Sequence, residues 1–191
     1  MTALTPANQL TLLRMLLIPA FVILVVYGHL GWALVVFVTA GVTDGLDGLI
    51  ARWSGQKTKL GAWLDPMADK LLLVTTFIVL TLPDLQLENR FPLWLTICII
   101  SRDIVIVGTV AIVNLAIGPR TFQPSVFGKI ATATYIITAV AAMLFNYLGY
   151  HALIVDVGIW ASLAITLISS FHYIWHARRI IDAPAPIAPT P

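Results

Sequence analysis

Asp44, Asp47, Asp65 and Asp69 lie in one short stretch, DGLDGLIARWSGQKTKLGAWLDPMAD, which holds four of the chain's nine acidic residues. Asp44 and Asp47 are three apart near the end of one expected helix, and Asp65 and Asp69 are four apart near the start of the next. Both spacings put the two carboxylates of a pair on one helical face. A connector of about a dozen residues folds the helices antiparallel, so the two pairs meet at one depth. Four carboxylates that close repel one another strongly unless a cation holds them. All-oxygen ligands suit Mg²⁺ or Mn²⁺ rather than Zn²⁺. The stretch therefore reads as a divalent-metal site at a membrane surface. Gly45, Gly48 and Gly61 beside it let a backbone or ligand come close. Arg52 is four residues beyond Gly48 and eight beyond Asp44, on their face. Its guanidinium suits an anionic group, such as a phosphate, that also meets the metals. Lys57, Thr58 and Lys59 add donors in the connector.

The elements that must position these residues are membrane helices. Of the 191 residues, 59% are hydrophobic and 10% charged, and the net charge is +2; the mean hydropathy is +0.93. That is too apolar for a soluble domain and fits a polytopic membrane protein. The first apolar run lacks a basic leader and carries Arg14 inside it, so it reads as a retained helix rather than a cleaved signal. The single cysteine, Cys98, sits among Ile and Leu and excludes an internal disulfide.

Six apolar segments, each long enough for a bilayer core of about 30 Å, are expected at about 10–28, 31–52, 61–82, 92–117, 125–147 and 153–177. Residues 1–9 read as a lead-in. Glycine, proline and polar breaks separate the segments. The fold class is thus all-α, with six transmembrane helices in a membrane domain over residues 1–181 and a Pro/Ala-rich, disordered tail over 182–191. With a cytoplasmic N-terminus, Arg14, Arg52, Lys57, Lys59, Arg120, Lys129, Arg178 and Arg179 fall on the inner side and Arg90 outside. Both termini and the aspartate site are then cytoplasmic. Trp32 and Trp94 sit at the outer interface, Trp53 and Trp63 at the inner one.

Charges inside membrane segments are costly and usually functional. Two other readings stay open on the residues alone: an ion-pair network that fixes packing, and a cation-transport site. Against transport stands the clustering of all four acids at one interface. An intramembrane prenyltransferase also uses aspartates and Mg²⁺, with its acids placed differently. His172 and His176 share a helical face, but Tyr173 stands where a zincin has its glutamate.

The pattern Asp44-x2-Asp47-Gly48-x2-Ala51-Arg52-x8-Gly61-x3-Asp65-x3-Asp69 resembles the complete signature of the CDP-alcohol phosphatidyltransferase family. Asn8, Thr11 and Arg14 are similar to the N-terminal N-x-L-T-x-x-R of bacterial phosphatidylglycerophosphate synthases, with Ala7 where those often have proline. Ser101-Arg102-Asp103 is closer to the CMP-forming cardiolipin synthases; enzymes using glycerol phosphate commonly have Gly-Arg-Glu there. The resemblance implies an integral membrane enzyme, expected in a bacterial inner membrane, that binds CDP-diacylglycerol with its pyrophosphate on two Mg²⁺ or Mn²⁺ ions. An acceptor alcohol attacks the β-phosphorus and CMP leaves. Carried over by position, Asp44, Asp47, Asp65 and Asp69 hold the metals, and Asp69 is also the candidate general base. Gly48, Arg52 and Thr58 match contacts to the nucleotide lipid, and the segment near Asn8 and Thr11 closes over that site. Expected partners are membrane lipids, CDP-diacylglycerol and a small phosphorylated alcohol; a homodimer is compatible and nucleic acid is not expected.

Arg102, Arg120 and Lys129 are the cations left for the acceptor once Arg52 is taken. Three of them favour a small dianion, glycerol 3-phosphate, giving phosphatidylglycerophosphate. The alternatives are phosphatidylglycerol, giving cardiolipin, and an inositol phosphate. Arg102 with Asp103 also reads as a plain intramembrane ion pair, and Arg120 and Lys129 as simple inner-side anchors.

Overall fold

Glycines mark where the chain turns back. Gly28 and Gly149 have φ of +78° and +74°, which side-chain-bearing residues adopt reluctantly. Each ends a helix in the same way. Gly28 N–H donates to the Val25 carbonyl and His29 N–H to that of Leu24; Gly149 and Tyr150 repeat the pattern onto Asn146 and Phe145. These are Schellman caps, which satisfy the last carbonyls of a helix.

The structure is a computed structural model that describes residues 6–54, 59–117 and 126–182, with the side chains of 9–43, 67–109 and 126–175. Among the described residues it is all helical, with no strand. The helices are α1 (Pro6–Val26), α2 (Leu30–Ser54), α3 (Lys59–Thr81), α4 (Leu93–Ile117), α5 (Val126–Leu148) and α6 (Leu153–Asp182). A short 3-10 turn, Pro83–Leu85, follows α3. Two ends differ from expectation. The lead-in is helical from Pro6, because proline at a first helical position gives up only an N–H that has no partner there. Helix α6 runs past residue 177 to Asp182. The Pro/Ala-rich segment 183–191, Thr58 and Arg120 lie outside the described residues.

Three described stretches are long and apolar enough to cross a membrane: Gln9–Val26, Val126–Leu148 and Leu153–Trp175, with Leu30–Thr43 a shorter apolar helix. The side-chain distribution fits a lipid solvent. Phe21, Phe37, Phe77, Phe91, Leu95 and Met143 fill the core, while Leu16, Trp32, Leu153 and Phe171 stand exposed on the outside. So much exposed apolar surface would drive aggregation in water. The chain is an integral membrane protein by this composition.

Helix α1 packs on both α2 and α3; α5 packs on α2 and α6, and α4 on α6 and α3. Without a hydrophobic drive in lipid, such helices associate through close packing and interhelical hydrogen bonds. Tyr135 and Thr166 hydroxyls meet at 2.5 Å, and Thr138 and Ser162 at 3.3 Å, joining α5 to α6. Thr81 and Thr96 join α3 to α4 at 2.6 Å. The α1–α2, α3–α4 and α5–α6 turns gather at one end. Gly31 abuts the Tyr147 ring, and Asn89 bonds to Asn146 and to the backbone of Tyr150 and Ala152. The α2–α3 corner, which carries the aspartates, is therefore at the opposite end.

Candidate functional site

The motif is divided between two successive helices. Asp44, Asp47, Gly48 and Arg52 fall in the second half of α2, and Asp65 and Asp69 in the first half of α3. The side chains of Asp44, Asp47, Gly48, Arg52, Asp65 and Asn8 lie outside the described set, so the expected meeting of the two carboxylate pairs falls there too.

Asp69 is described, and its neighbour was not foreseen. Arg14 Nη1 donates to Asp69 Oδ1 at 2.5 Å, across 55 residues of sequence. The arginine side chain is 1% exposed and the aspartate 41%. A buried guanidinium is tolerable only when paired, and Asp69, to which it donates, is itself partly exposed. Thr11, one turn before Arg14 on the same face of α1, is fully buried. Helix α1 thus presents Thr11 and Arg14 inward. Arg14 was read from sequence only as an inner-side cation within a motif. The available signal was a charge inside an otherwise apolar helix, which normally faces the bundle.

A second charged cluster begins one residue on. Lys70 Nζ lies 3.4 Å from Asp103 Oδ2. Asp103 Oδ1 accepts from Arg102 Nη1 at 2.8 Å, and Arg102 Nη2 donates to Ser169 Oγ at 2.6 Å. The cluster joins α3, α4 and α6. Arg102 is about nine-tenths buried, and Ser169 is fully so. Of the three cations assigned to the acceptor, Arg102 is engaged in this cluster and Lys129 is exposed near the start of α5. No hydrogen bond or ion pair among the described residues joins these two. Lys70 and Ser169 were not singled out from sequence; Lys70 lies one residue beyond the end of the aspartate motif.

An apolar groove of about 580 Å³ runs along α6, lined by Phe127, Leu167, Ile168, Phe171, His172 and Trp175. The His172 ring packs on Phe127 with centroids 4.8 Å apart. Among the described residues, no group of three or more His, Cys, Asp or Glu could hold a metal ion. Three of the four motif aspartates have side chains outside that set.

Comparison with known proteins places this arrangement. The family profile described as CDP-alcohol phosphatidyltransferase matches residues 4–168. The chain belongs to the CDP-alcohol phosphatidyltransferase family. It is 34% identical to a human cardiolipin synthase (CMP-forming) over 92% of this chain and 62% of that protein. It is 33% identical to a probable phosphatidylglycerophosphate synthase of Mycobacterium tuberculosis, over 92% of this chain and 82% of the relative. It is 32% identical to a CDP-diacylglycerol–glycerol-3-phosphate 3-phosphatidyltransferase of Bacillus subtilis, over 90% and 96%. The chain spans 62% of the length of the human, rat and mycobacterial cardiolipin synthases it matches.

Proposed function

We propose that the protein transfers the phosphatidyl group of CDP-diacylglycerol to glycerol 3-phosphate, releasing CMP and phosphatidylglycerophosphate. The observation that carries the reading is the complete four-aspartate motif, set on α2 and α3 at one end of the bundle. The Bacillus relative named for this reaction supports it, being matched over nearly its whole length. In this reading all six helices span the membrane, the termini and the motif face the cytoplasm, and the membrane is a bacterial inner membrane.

Asp44, Asp47, Asp65 and Asp69 would hold two Mg²⁺ or Mn²⁺ ions, a role that an all-carboxylate donor set fits. Such ions, when bound, neutralise the pyrophosphate and the charge that develops on departing CMP. Arg52 holds a phosphate oxygen by its guanidinium fork. Gly48 lets the nucleotide approach the α2 backbone. Thr58 and the Asn8–Thr11 face complete the contacts to the lipid nucleotide. The acceptor hydroxyl attacks the β-phosphorus, its proton passes to the Asp69 carboxylate, and the phosphorus–oxygen bond to CMP breaks. CMP leaves with the bonding electron pair.

A second acceptor is favoured by one feature. Arg102 is already engaged by Asp103 and Ser169, and α6 carries an apolar groove lined by Leu167, Ile168, Phe171 and Trp175. A lipid acceptor with one phosphodiester charge, phosphatidylglycerol, needs less cationic capture and more apolar surface. The product would then be cardiolipin. A CMP-release assay with CDP-diacylglycerol and a panel of acceptors, followed by identification of the lipid product, decides between them. Release with glycerol 3-phosphate but not phosphatidylglycerol supports the first reading. The reverse result removes it, and no release with any acceptor removes both. For topology, single cysteines placed in a Cys98→Ser background should label at Thr58 only from the cytoplasmic side and at Glu88 only from outside; the opposite pattern inverts the proposal.

A further inference from the structure

A cation buried in an apolar helix must be compensated, and among the described contacts Arg14 donates to the carboxylate of Asp69. This is the aspartate to which the transferase reading gives the acceptor's proton. The contact is made by α1, which packs on both motif helices. An aspartate on a helix turns about two side-chain bonds, and a base that turns freely spends little time aimed at a substrate hydroxyl. A planar guanidinium bonded to one carboxylate oxygen fixes the plane and direction of the group. The burial asymmetry fits this use: the arginine is sealed in the protein while the carboxylate keeps 41% of its surface open.

We propose that Arg14 is a positioning residue for Asp69, through which α1 sets the orientation of the carboxylate that receives the acceptor's proton. The inference rests on the transferase reading. Arg14 touches neither substrate in it and acts through Asp69. A plain helix tether would be lost with stability and would not distinguish turnover from substrate binding.

The test uses the full chain in lipid nanodiscs with Mg²⁺, comparing Arg14→Gln, Arg14→Lys, Asp69→Asn and the double variant Arg14→Gln/Asp69→Asn. A small misplacement of a reacting group costs about 10²-fold in rate. Arg14→Gln should lower kcat on that order, with the KM for CDP-diacylglycerol and the melting temperature near wild type. Arg14→Lys should recover part of the loss. On the Asp69→Asn background, Arg14→Gln should cost nothing further, because the group it positions is already disabled. Losses that multiply in the double variant overturn the proposal, as does a raised KM and lowered melting temperature that lysine fails to relieve.

A second readout does not depend on turnover. Dicyclohexylcarbodiimide activates a carboxylate in an apolar setting. The amine introduced by Arg14→Lys should then attack the activated Asp69 carboxyl, forming an amide as dicyclohexylurea leaves. Mass spectrometry should find peptides joined between positions 14 and 69, and none with Asp69→Asn present. Carbodiimide addition at Asp69 without that cross-link overturns the contact and the proposal. A wild-type chain that releases no CMP with any acceptor overturns the transferase reading, and this role with it, even where the cross-link forms.

Discussion

Asn89 and Asn146 close one end of the helix bundle with neutral hydrogen bonds, whereas Arg14, Asp69, Lys70, Asp103 and Arg102 join helices farther toward the other end with charge. In the neutral clasp, Asn146 Oδ1 accepts from the Asn89 backbone at 2.7 Å and from its side chain at 3.2 Å. Asn89 Nδ2 also donates to the Tyr150 carbonyl at 2.9 Å, and Asn89 Oδ1 accepts from Ala152 N–H at 2.9 Å. The α3–α4 loop, the end of α5 and the α5–α6 turn are held together by amide groups whose burial is compensated locally. The charged half does similar joining between α1 and α3, and among α3, α4 and α6, at a greater desolvation cost. Since neutral groups suffice to join helices in this protein, joining alone does not account for the charges. In the proposed function, chemistry on an anionic substrate accounts for them.

The comparison breaks most sharply at the metals. Chelation by EDTA should abolish CMP release, and Mg²⁺ or Mn²⁺ should restore it. Asp44→Ala, Asp47→Ala or Asp65→Ala should each remove most turnover while the melting temperature of the unliganded protein stays near wild type. Full activity after exhaustive chelation removes the metal reading and leaves the charged half as packing.

Next in size is Asp69→Asn. The amide keeps an oxygen for a metal but does not take the acceptor's proton. General-base catalysis is worth about 10²–10⁴-fold, so the rate should fall by that order while CDP-diacylglycerol binding, measured by equilibrium partition of labelled substrate, persists. Loss of binding as complete as the loss of rate would make Asp69 chiefly a metal ligand.

A smaller effect is expected at Arg102→Ala. Hydrogen bonds to charged groups contribute about 1.5–3 kcal/mol, or roughly 10- to 100-fold in an equilibrium constant. If Arg102 serves the acceptor, that loss appears in the KM for acceptor and leaves the KM for CDP-diacylglycerol unchanged. If it serves only the Asp103–Ser169 cluster, the melting temperature falls and both KM values hold.

The sequence made some of this visible and hid the rest for identifiable reasons. Apolar length and punctuation placed the helices, and Gly28 and Gly149 cap two of them where breaks were expected. The aspartate motif was legible because its spacing is local. Arg14–Asp69 was not, because the two residues are 55 positions apart. Which face of a nearly all-apolar helix turns inward is not encoded by hydrophobic period when every face is apolar. The Arg102–Ser169 bond was hidden for the same reason. The Asn89–Asn146 clasp was missed because both residues sat near expected outer turns, where polar groups ordinarily meet water.

The clasp gives the comparison its converse. Asn146→Ala removes the acceptor of the Asn89 backbone N–H, and Asn89 is 2% exposed, so water does not readily replace it. A buried donor left without a partner costs about 1–3 kcal/mol. The melting temperature in nanodiscs should therefore drop measurably. The clasp lies at the end of the bundle opposite the α2–α3 corner, and no described contact links it to Arg14, Asp69 or Asp103. The kcat and both KM values of the folded fraction, assayed well below the new melting temperature, should match wild type. Turnover that falls while the melting temperature holds would mean that the neutral end is coupled to the chemistry, and the division between a structural end and a reactive one would have to be given up.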